Sequence, residues 1–325
     1  MAVKTKKLFP LFCLFMLICT TTVGAVSNLN ITVTTDKQSY SRFESVQVYG
    51  NLVLDSSPVT DGLVALLVKN PSSNYIVMRT VNTGMNPQSP LIVEVRSVYS
   101  CDLNGNPKPD VSKGSLAYFN VTISNYDLVT HIVLATVNLY DKNNVALSLV
   151  SSNLPIPARS ASSFIISASI PSWATSGNAA AYASAYTEWP EAGGTPYCPE
   201  ESASFNILGG SSGPQPSTPN GSQGAYNLTF RLPPKCQVGT YVVYASSIYN
   251  GMTALANTVF FVKQPGDFDG DGDIDSKDIF AFLDAYIAYW SGNPWNPEAD
   301  FDFDGDVDSS DVFAFVDAYI QYWST

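Results

Sequence analysis

The sequence predicts a mainly-β protein with a small helical tail. Three observations carry this. Segments of alternating apolar and polar residues recur at short spacing from about residue 28 to residue 263, with turn residues between them. From residue 264 the alternation stops, and two aromatic-rich runs follow, IFAFLDAYIAYW and VFAFVDAYIQYW. Each run is preceded by an aspartate every second residue.

At the N-terminus, residues 1–25 read as a secretory signal. Lys4, Lys6 and Lys7 form the charged start, Leu8 to Cys19 the apolar run, and Val23-Gly24-Ala25 a small-residue cleavage site. A secreted, extracellular location is expected, with cell-surface association open. The run is too short to span a membrane well, and no apolar segment near the C-terminus offers a transmembrane anchor. Asn30, Asn120, Asn220 and Asn227 begin N-x-S/T sequons, as suits an exported chain.

Residues 28–88 are strand-rich: ITVTTDKQSY, SVQVYGNLVL, LVALLVKNP and YIVMRTV. This is the pattern of an incomplete β-sandwich. The stretch TDKQSYSRFESVQVYG, Thr35 to Gly50, resembles the opening of macroglobulin-type and related bacterial and archaeal Ig-like domains. In those domains a glycine is common where this chain has Arg42 or Phe43. AYNLTFRLPPKCQVGTYVVYASSIYN and LANTVFFVK look like the closing strands of the same fold. Residues 28–88 with 222–263 are therefore read as one discontinuous Ig-like sandwich. Residues 91–207 are read as a second sandwich inserted into it, on the strands LIVEVRSVYS, AYFNVTISN, IVLATVNLYD and SSFIISASIP. Sandwiches strung in tandem remain the alternative. Residues 208–221 form a polar Gly/Ser/Pro linker.

The net charge of −12 is unevenly placed. Residues 264–325 hold fifteen acids and one lysine, whereas 28–263 are nearly balanced, with thirteen acids and twelve bases. The acidity is thus local, and nothing basic points to nucleic acid.

That local acidity is ordered. DFDGDGDIDSKD from Asp267 and DFDFDGDVDSSD from Asp300 superpose at an offset of 33 residues, so one unit is duplicated. A hard cation takes about six to eight oxygens, and a twelve-residue loop supplies them from positions 1, 3, 5, 7, 9 and 12. These are Asp267, Asp269, Asp271, Asp273, Asp275 and Asp278, then Asp300, Asp302, Asp304, Asp306, Asp308 and Asp311. Position 7 ligates through its carbonyl and position 9 often through water. Gly272 and Gly305 fall at position 6, where the chain turns sharply. Apolar Ile274 and Val307 at position 8 are expected to pair as a short β-bridge. Two Ca²⁺ ions are predicted.

Both loops end in Asp where the EF-hand has Glu, and Pro265, Pro294 and Pro297 argue against entering helices. Loop plus exit helix, twice, resembles the dockerin module. That resemblance implies docking on a cohesin-like partner or cell-surface assembly. It also implies recognition at loop positions 10 and 11, here Ser276, Lys277, Ser309 and Ser310. The basic residues usual in dockerin helices are replaced by aromatics. Helical spacing puts Ile279, Leu283, Tyr286 and Trp290 on one stripe, and Val312, Val316, Tyr319 and Trp323 on its repeat. These eight are expected to pack the helices together, leaving other apolar residues for a partner or for the protein's own sandwich.

No enzyme is expected. The one histidine, His131, lies within an alternating strand and has no nucleophile elbow to serve. Glu188, Glu191, Glu200 and Glu201 are the best paired-carboxylate candidates, in the loop EWPEAGGTPYCPEE. Trp173, Trp189 and Tyr197 could stack on sugar rings or fill a core. Cys101 and Cys198, near the two ends of the insert, are expected to form a disulfide, and Cys236 to remain a thiol. The function expected is a non-catalytic calcium-binding scaffold that docks through its tail. The alternatives are a carbohydrate-binding component of a polysaccharide-degrading assembly, and a tail that packs on its own sandwich as a structural staple.

Overall fold

The structure is a computed structural model and describes residues 27–85, 87, 91–209, 221–294, 296, 298–302 and 304–324. The leader at 1–25 and residues 210–220 of the linker lie outside these.

The first strands are β1 (Leu29–Ile31), β2 (Thr34–Thr35), β3 (Ser39–Tyr40), β4 (Ser45–Leu54), β5 (Ser57–Pro58), β6 (Leu63–Lys69) and β7 (Tyr75–Asn82). Next come β8 (Val93–Cys101), β9 (Asp110–Val111), β10 (Leu116–Asn125), β11 (His131–Tyr140), β12 (Ala146–Ile156), β13 (Ser160–Ser169), β14 (Gly177–Tyr186) and β15 (Glu201–Ile207). β16 (Ala225–Arg231), β17 (Gly239–Tyr249) and β18 (Met252–Val262) follow, then helices α1 (Ser276–Trp290) and α2 (Ser309–Trp323). The protein is mainly β with a helical tail.

Over its first eight residues β4 alternates between exposed and buried, as a strand with one face on a core must. Its buried Val46 and Val48 lie opposite Phe230 and Leu228 of β16. The facing sheet runs β3-β18-β17-β6-β7. Strands from both ends of the body thus share one core, in which Tyr40, Leu66, Val68, Tyr226, Tyr241 and Phe260 are buried. β8–β15 form two further sheets, β13-β10-β8 and β12-β11-β14-β15-β9. One isolated bridge, Val145 to Arg231, links them to the first pair.

β14 explains how the sandwiches meet. Its sequence, GNAAAYASAY, is buried along almost its whole length. Ala179, Ala181, Ala183 and Ala185 point into the core of β8–β15. Ala180 and Tyr182 point the other way, into the core of the first sandwich. Small side chains allow sheets to approach on both sides. At this junction the Arg79 guanidinium, from β7, is 1% exposed. It donates two hydrogen bonds to Glu200, at 2.5 and 2.9 Å, and lies 3.3 Å from the Tyr182 ring centroid. Paired and stacked, this buried charge is satisfied.

The expected Cys101–Cys198 disulfide is not formed; both are buried free thiols. The Cys198 Sγ accepts the Val95 N–H at 3.3 Å, near the start of β8, whereas Cys101 ends that strand. Six residues of strand separate those positions by about 20 Å, well beyond disulfide reach. Proximity to the ends of a segment in sequence did not put the two thiols at the same end of the sandwich.

Phe43 has φ +62°. This is the left-handed region that a bulky residue rarely occupies, at one of the two positions, Arg42 or Phe43, where the resembled domains often carry glycine. The ring is buried beneath the Arg231 guanidinium, 5.3 Å from its centroid.

Candidate metal centre

Each acidic loop is drawn in on its last aspartate. Asp278, fully buried, accepts the backbone N–H of Phe268 (2.7 Å) and Asp269 (3.2 Å) on Oδ1, and of Asp275 (2.8 Å) on Oδ2. Asp311 repeats this with Phe301 (2.5 Å), Asp302 (3.2 Å) and Asp308 (2.7 Å). Asp275 and Asp308 are N-caps, each forming a capping box with that same aspartate. Position 12 therefore fixes both the start of the loop and the first turn of the helix. Gly272 and Gly305 have φ +97° and +103°, a turn that a side chain would strain.

The carboxylates converge. Oxygens of Asp267, Asp269 and Asp271 lie within 4.8 Å of one another, as do those of Asp273, Asp275 and Asp278. In the second loop the groups are Asp300, Asp302 and Asp311, and Asp306, Asp308 and Asp311. All twelve candidate ligands fall in these two loops, with Asp304 outside the groups. Burial, then the neighbouring Asp304 charge, pushes the Asp302 carboxyl up; burial does the same to Asp267. Crowded carboxylates of this kind favour a cation among them. The donor set is hard oxygen throughout and the glycine turns are in place, so the residues fit calcium rather than a softer metal. A bound Ca²⁺ would supply charge compensation among these carboxylates.

Ile274 and Val307 are fully buried but form no β-bridge with each other among the described residues. Ile274 instead gives its carbonyl to the Trp323 indole N–H at 2.8 Å.

The helix faces also differ from the sequence expectation. Phe282 and Phe315 stack at the centre of the module, 4.4 Å apart and 2° from parallel. Phe268 and Phe301, from position 2 of each loop, close around them edge-on. Ile279, Tyr286 and Val312 of the expected stripes do pack on this core. Leu283, Trp290, Val316 and Trp323 do not; they are exposed, Trp290 by 64% and Trp323 by 62%. Burying the loop phenylalanines turns the Phe282 and Phe315 faces inward and the tryptophans outward. The loop phenylalanines repeat at the same 33-residue offset, which was the available signal for them.

Exposed Phe280, Leu283, Ile287 and Trp290 on α1 match Phe313, Val316, Ile320 and Trp323 on α2. Ser276, Lys277, Ser309 and Ser310 are exposed in the first turns, on the same sides as these stripes. The loop side of the module faces the body. Ser41 Oγ donates to Glu298 Oε1 at 2.5 Å. Arg42 and Lys263 line a small cavity with Asp267, Glu298 and Asp300. These junction residues carried no sequence signal.

The other candidates have structural partners. Trp189 stacks on Tyr75 at 4.0 Å. Glu191 accepts from Lys69 Nζ and the Tyr75 hydroxyl, both at 2.6 Å. Glu200 holds Arg79, and Glu188 accepts the Trp189 N–H. Trp173 and Tyr197 pack against the core of β8–β15. His131 Nε2 lies 2.8 Å from Asp127. Glu201 is exposed, its carboxyl pushed up by partial burial. No helix among the described residues is long and apolar enough to cross a membrane.

No family model matches the chain, and no curated protein matches it. Among solved structures it is similar to the C-terminal domain of Wzt, at 11% identity, over 38% of this chain and 80% of that one, with TM-score 0.29. It is similar to a β-glucuronidase from glycoside hydrolase family 2, at 7% identity, over 50% of this chain and 24% of that one, with TM-score 0.29. It is also similar to the CARDB domain of the PF1109 protein from Pyrococcus furiosus, in complex with di-metal ions, at 13% identity, over 36% and 85%, with TM-score 0.22. Each of these three likenesses covers half of this chain or less.

Proposed function

We propose that this chain is a secreted, non-catalytic calcium-binding protein that docks through its tail. In this reading residues 264–325 are a dockerin-like module that holds two Ca²⁺ ions. Its helices engage a cohesin-like partner or cell-surface assembly, and the sandwiches are a scaffold or present a ligand. The observation that carries the reading is the pair of matched exposed stripes, Phe280, Leu283, Ile287 and Trp290 with Phe313, Val316, Ile320 and Trp323. Exposed apolar stripes on both helices of so small a module favour a protein partner. The recognition positions that the dockerin resemblance implies lie on the same sides.

A second reading has its own support. The Ser41–Glu298 hydrogen bond and the cavity lined by Arg42 and Lys263 favour a tail that also staples onto its own sandwich. The two readings use different residues of the module. The carbohydrate-binding reading has less behind it, since Trp189 is already stacked on Tyr75.

The test is binding of the full chain to immobilised cohesin domains in calcium and in chelator. Calcium-dependent binding that Phe280→Ser with Phe313→Ser removes is expected. Retention on no cohesin domain, or equal binding by the double variant, would overturn docking through these faces. The staple reading is then judged separately, by whether removing 264–325 lowers the melting temperature of the body.

A further inference from the structure

The two loops are not equivalent. Lys277, at position 11 of the first, places its Nζ 3.0 Å from Asp271, 3.7 Å from Asp269 and 3.9 Å from Asp275. The corresponding residue of the second loop is Ser310. Among the described residues, no ion pair reaches Asp302, Asp304, Asp306, Asp308 or Asp311. The carboxylates are also gathered differently. The second loop brings positions 1, 3 and 12 together, Asp300, Asp302 and Asp311, which is the set that encloses an ion from both ends of the loop. In the first, positions 1, 3 and 5 gather instead, the last two of them beside the Lys277 ammonium, and Asp278 belongs to a separate group.

We propose that Lys277 is a tethered counter-cation of the first loop, so that calcium fills the second loop first and the first loop only at higher concentration. The inference rests on the calcium reading above. Lys277 must leave Asp271 and Asp269 before those oxygens can turn to an ion. Even after it swings away, its charge stays near. A single positive charge about 6 Å from a divalent ion, at the permittivity of water, weakens binding roughly tenfold. Ser310 carries no charge, and the cations that share cavities with Asp300, namely Arg42, Lys113 and Lys263, form no ion pair with Asp302, Asp304, Asp306, Asp308 or Asp311 among the described residues. Filling of the first loop then frees an ammonium group on the exposed first turn of α1, beside Phe280. The later calcium step therefore adds a cation to the proposed docking face.

The test is calorimetric titration of the metal-stripped full chain with calcium chloride. Two binding steps about tenfold apart are expected. Asp300→Ala should remove the tighter step and Asp267→Ala the weaker. Lys277→Ser, a change at an exposed side chain, should tighten the weaker step until the two nearly merge. Ser310→Lys should weaken the tighter one. Two equal steps in the unaltered chain, or a spacing that Lys277→Ser leaves unchanged, would overturn the proposal while leaving two calcium sites intact. If neither loop takes up calcium in any of these proteins, the underlying calcium reading falls and the inference falls with it.

Discussion

Cys198 shows how far a single side chain's environment departs from its sequence context. Burial pushes its thiol up to about 12, and the Val95 N–H is its hydrogen-bond partner. A thiol so raised is protonated at neutral pH and a poor nucleophile. We expect Cys198 to resist alkylation by iodoacetamide at pH 8 in the folded protein. After unfolding without reductant, peptide mapping should find both Cys101 and Cys198 alkylated; a linked Cys101–Cys198 peptide would contradict the structure. The linkage has a definite sign. The folded value lies above the unfolded one of about 8.5, so the contribution is whole below that value. It is lost as pH rises from there towards 12. Stability should therefore fall on the alkaline side, and Cys198→Ala should flatten part of that fall in denaturant titrations.

Among the elements, the helices are those most dependent on something outside themselves. Each is 15 residues, near the length at which an isolated helix is marginal in water. Each starts at a capping box made of the same aspartates that crowd the loop. Fifteen acids against one lysine in residues 264–325 oppose closure until a cation joins them. The tail, as residues 264–325, should gain helical circular dichroism on adding calcium, and Asp267→Ala with Asp300→Ala should abolish the gain. Equal helicity in chelator would show that the aromatic core alone organises the module. The same scale shows what the sequence made legible. SVQVYGNLVL reads as a strand because one face is wet and one dry, so its alternation survives. The Asp spacing, the glycines and the 33-residue repeat likewise announce the loops. GNAAAYASAY gives no such signal, because β14 is buried on both faces and alanine is a weak strand former. The helix faces differ from the sequence expectation for a related reason. Helices apolar on several sides offer more than one inward face, and the choice was made by Phe268 and Phe301, which lie in the loops.

For the whole molecule, the question is whether the two sandwiches are separable. Their cores are not. The first core takes in Tyr140, Ala146, Ala180 and Tyr182 from β11, β12 and β14. A second cluster joins Ala65, Leu67 and Met78 to Leu134 and Tyr186. Met78 N–H donates to the Asn138 side chain at 3.1 Å. Arg79 and Glu200 sit inside this junction, 1% and 5% exposed as side chains. Opening it would bare apolar surface on both halves and would strip two buried charges of each other. We therefore expect the body to unfold in one calorimetric transition. Any separate, calcium-dependent transition should belong to residues 264–325. Arg79→Ala leaves Glu200 buried without its cation. A broken buried pair costs about 3–5 kcal/mol, so the whole body transition should shift down without splitting. Arg79→Met with Glu200→Gln keeps the volume and removes both charges, and should cost much less. Two body transitions in the unaltered protein, or an Arg79→Ala variant that loses only one half of the β signal, would show that the sandwiches fold independently and that the buried pair merely decorates their contact.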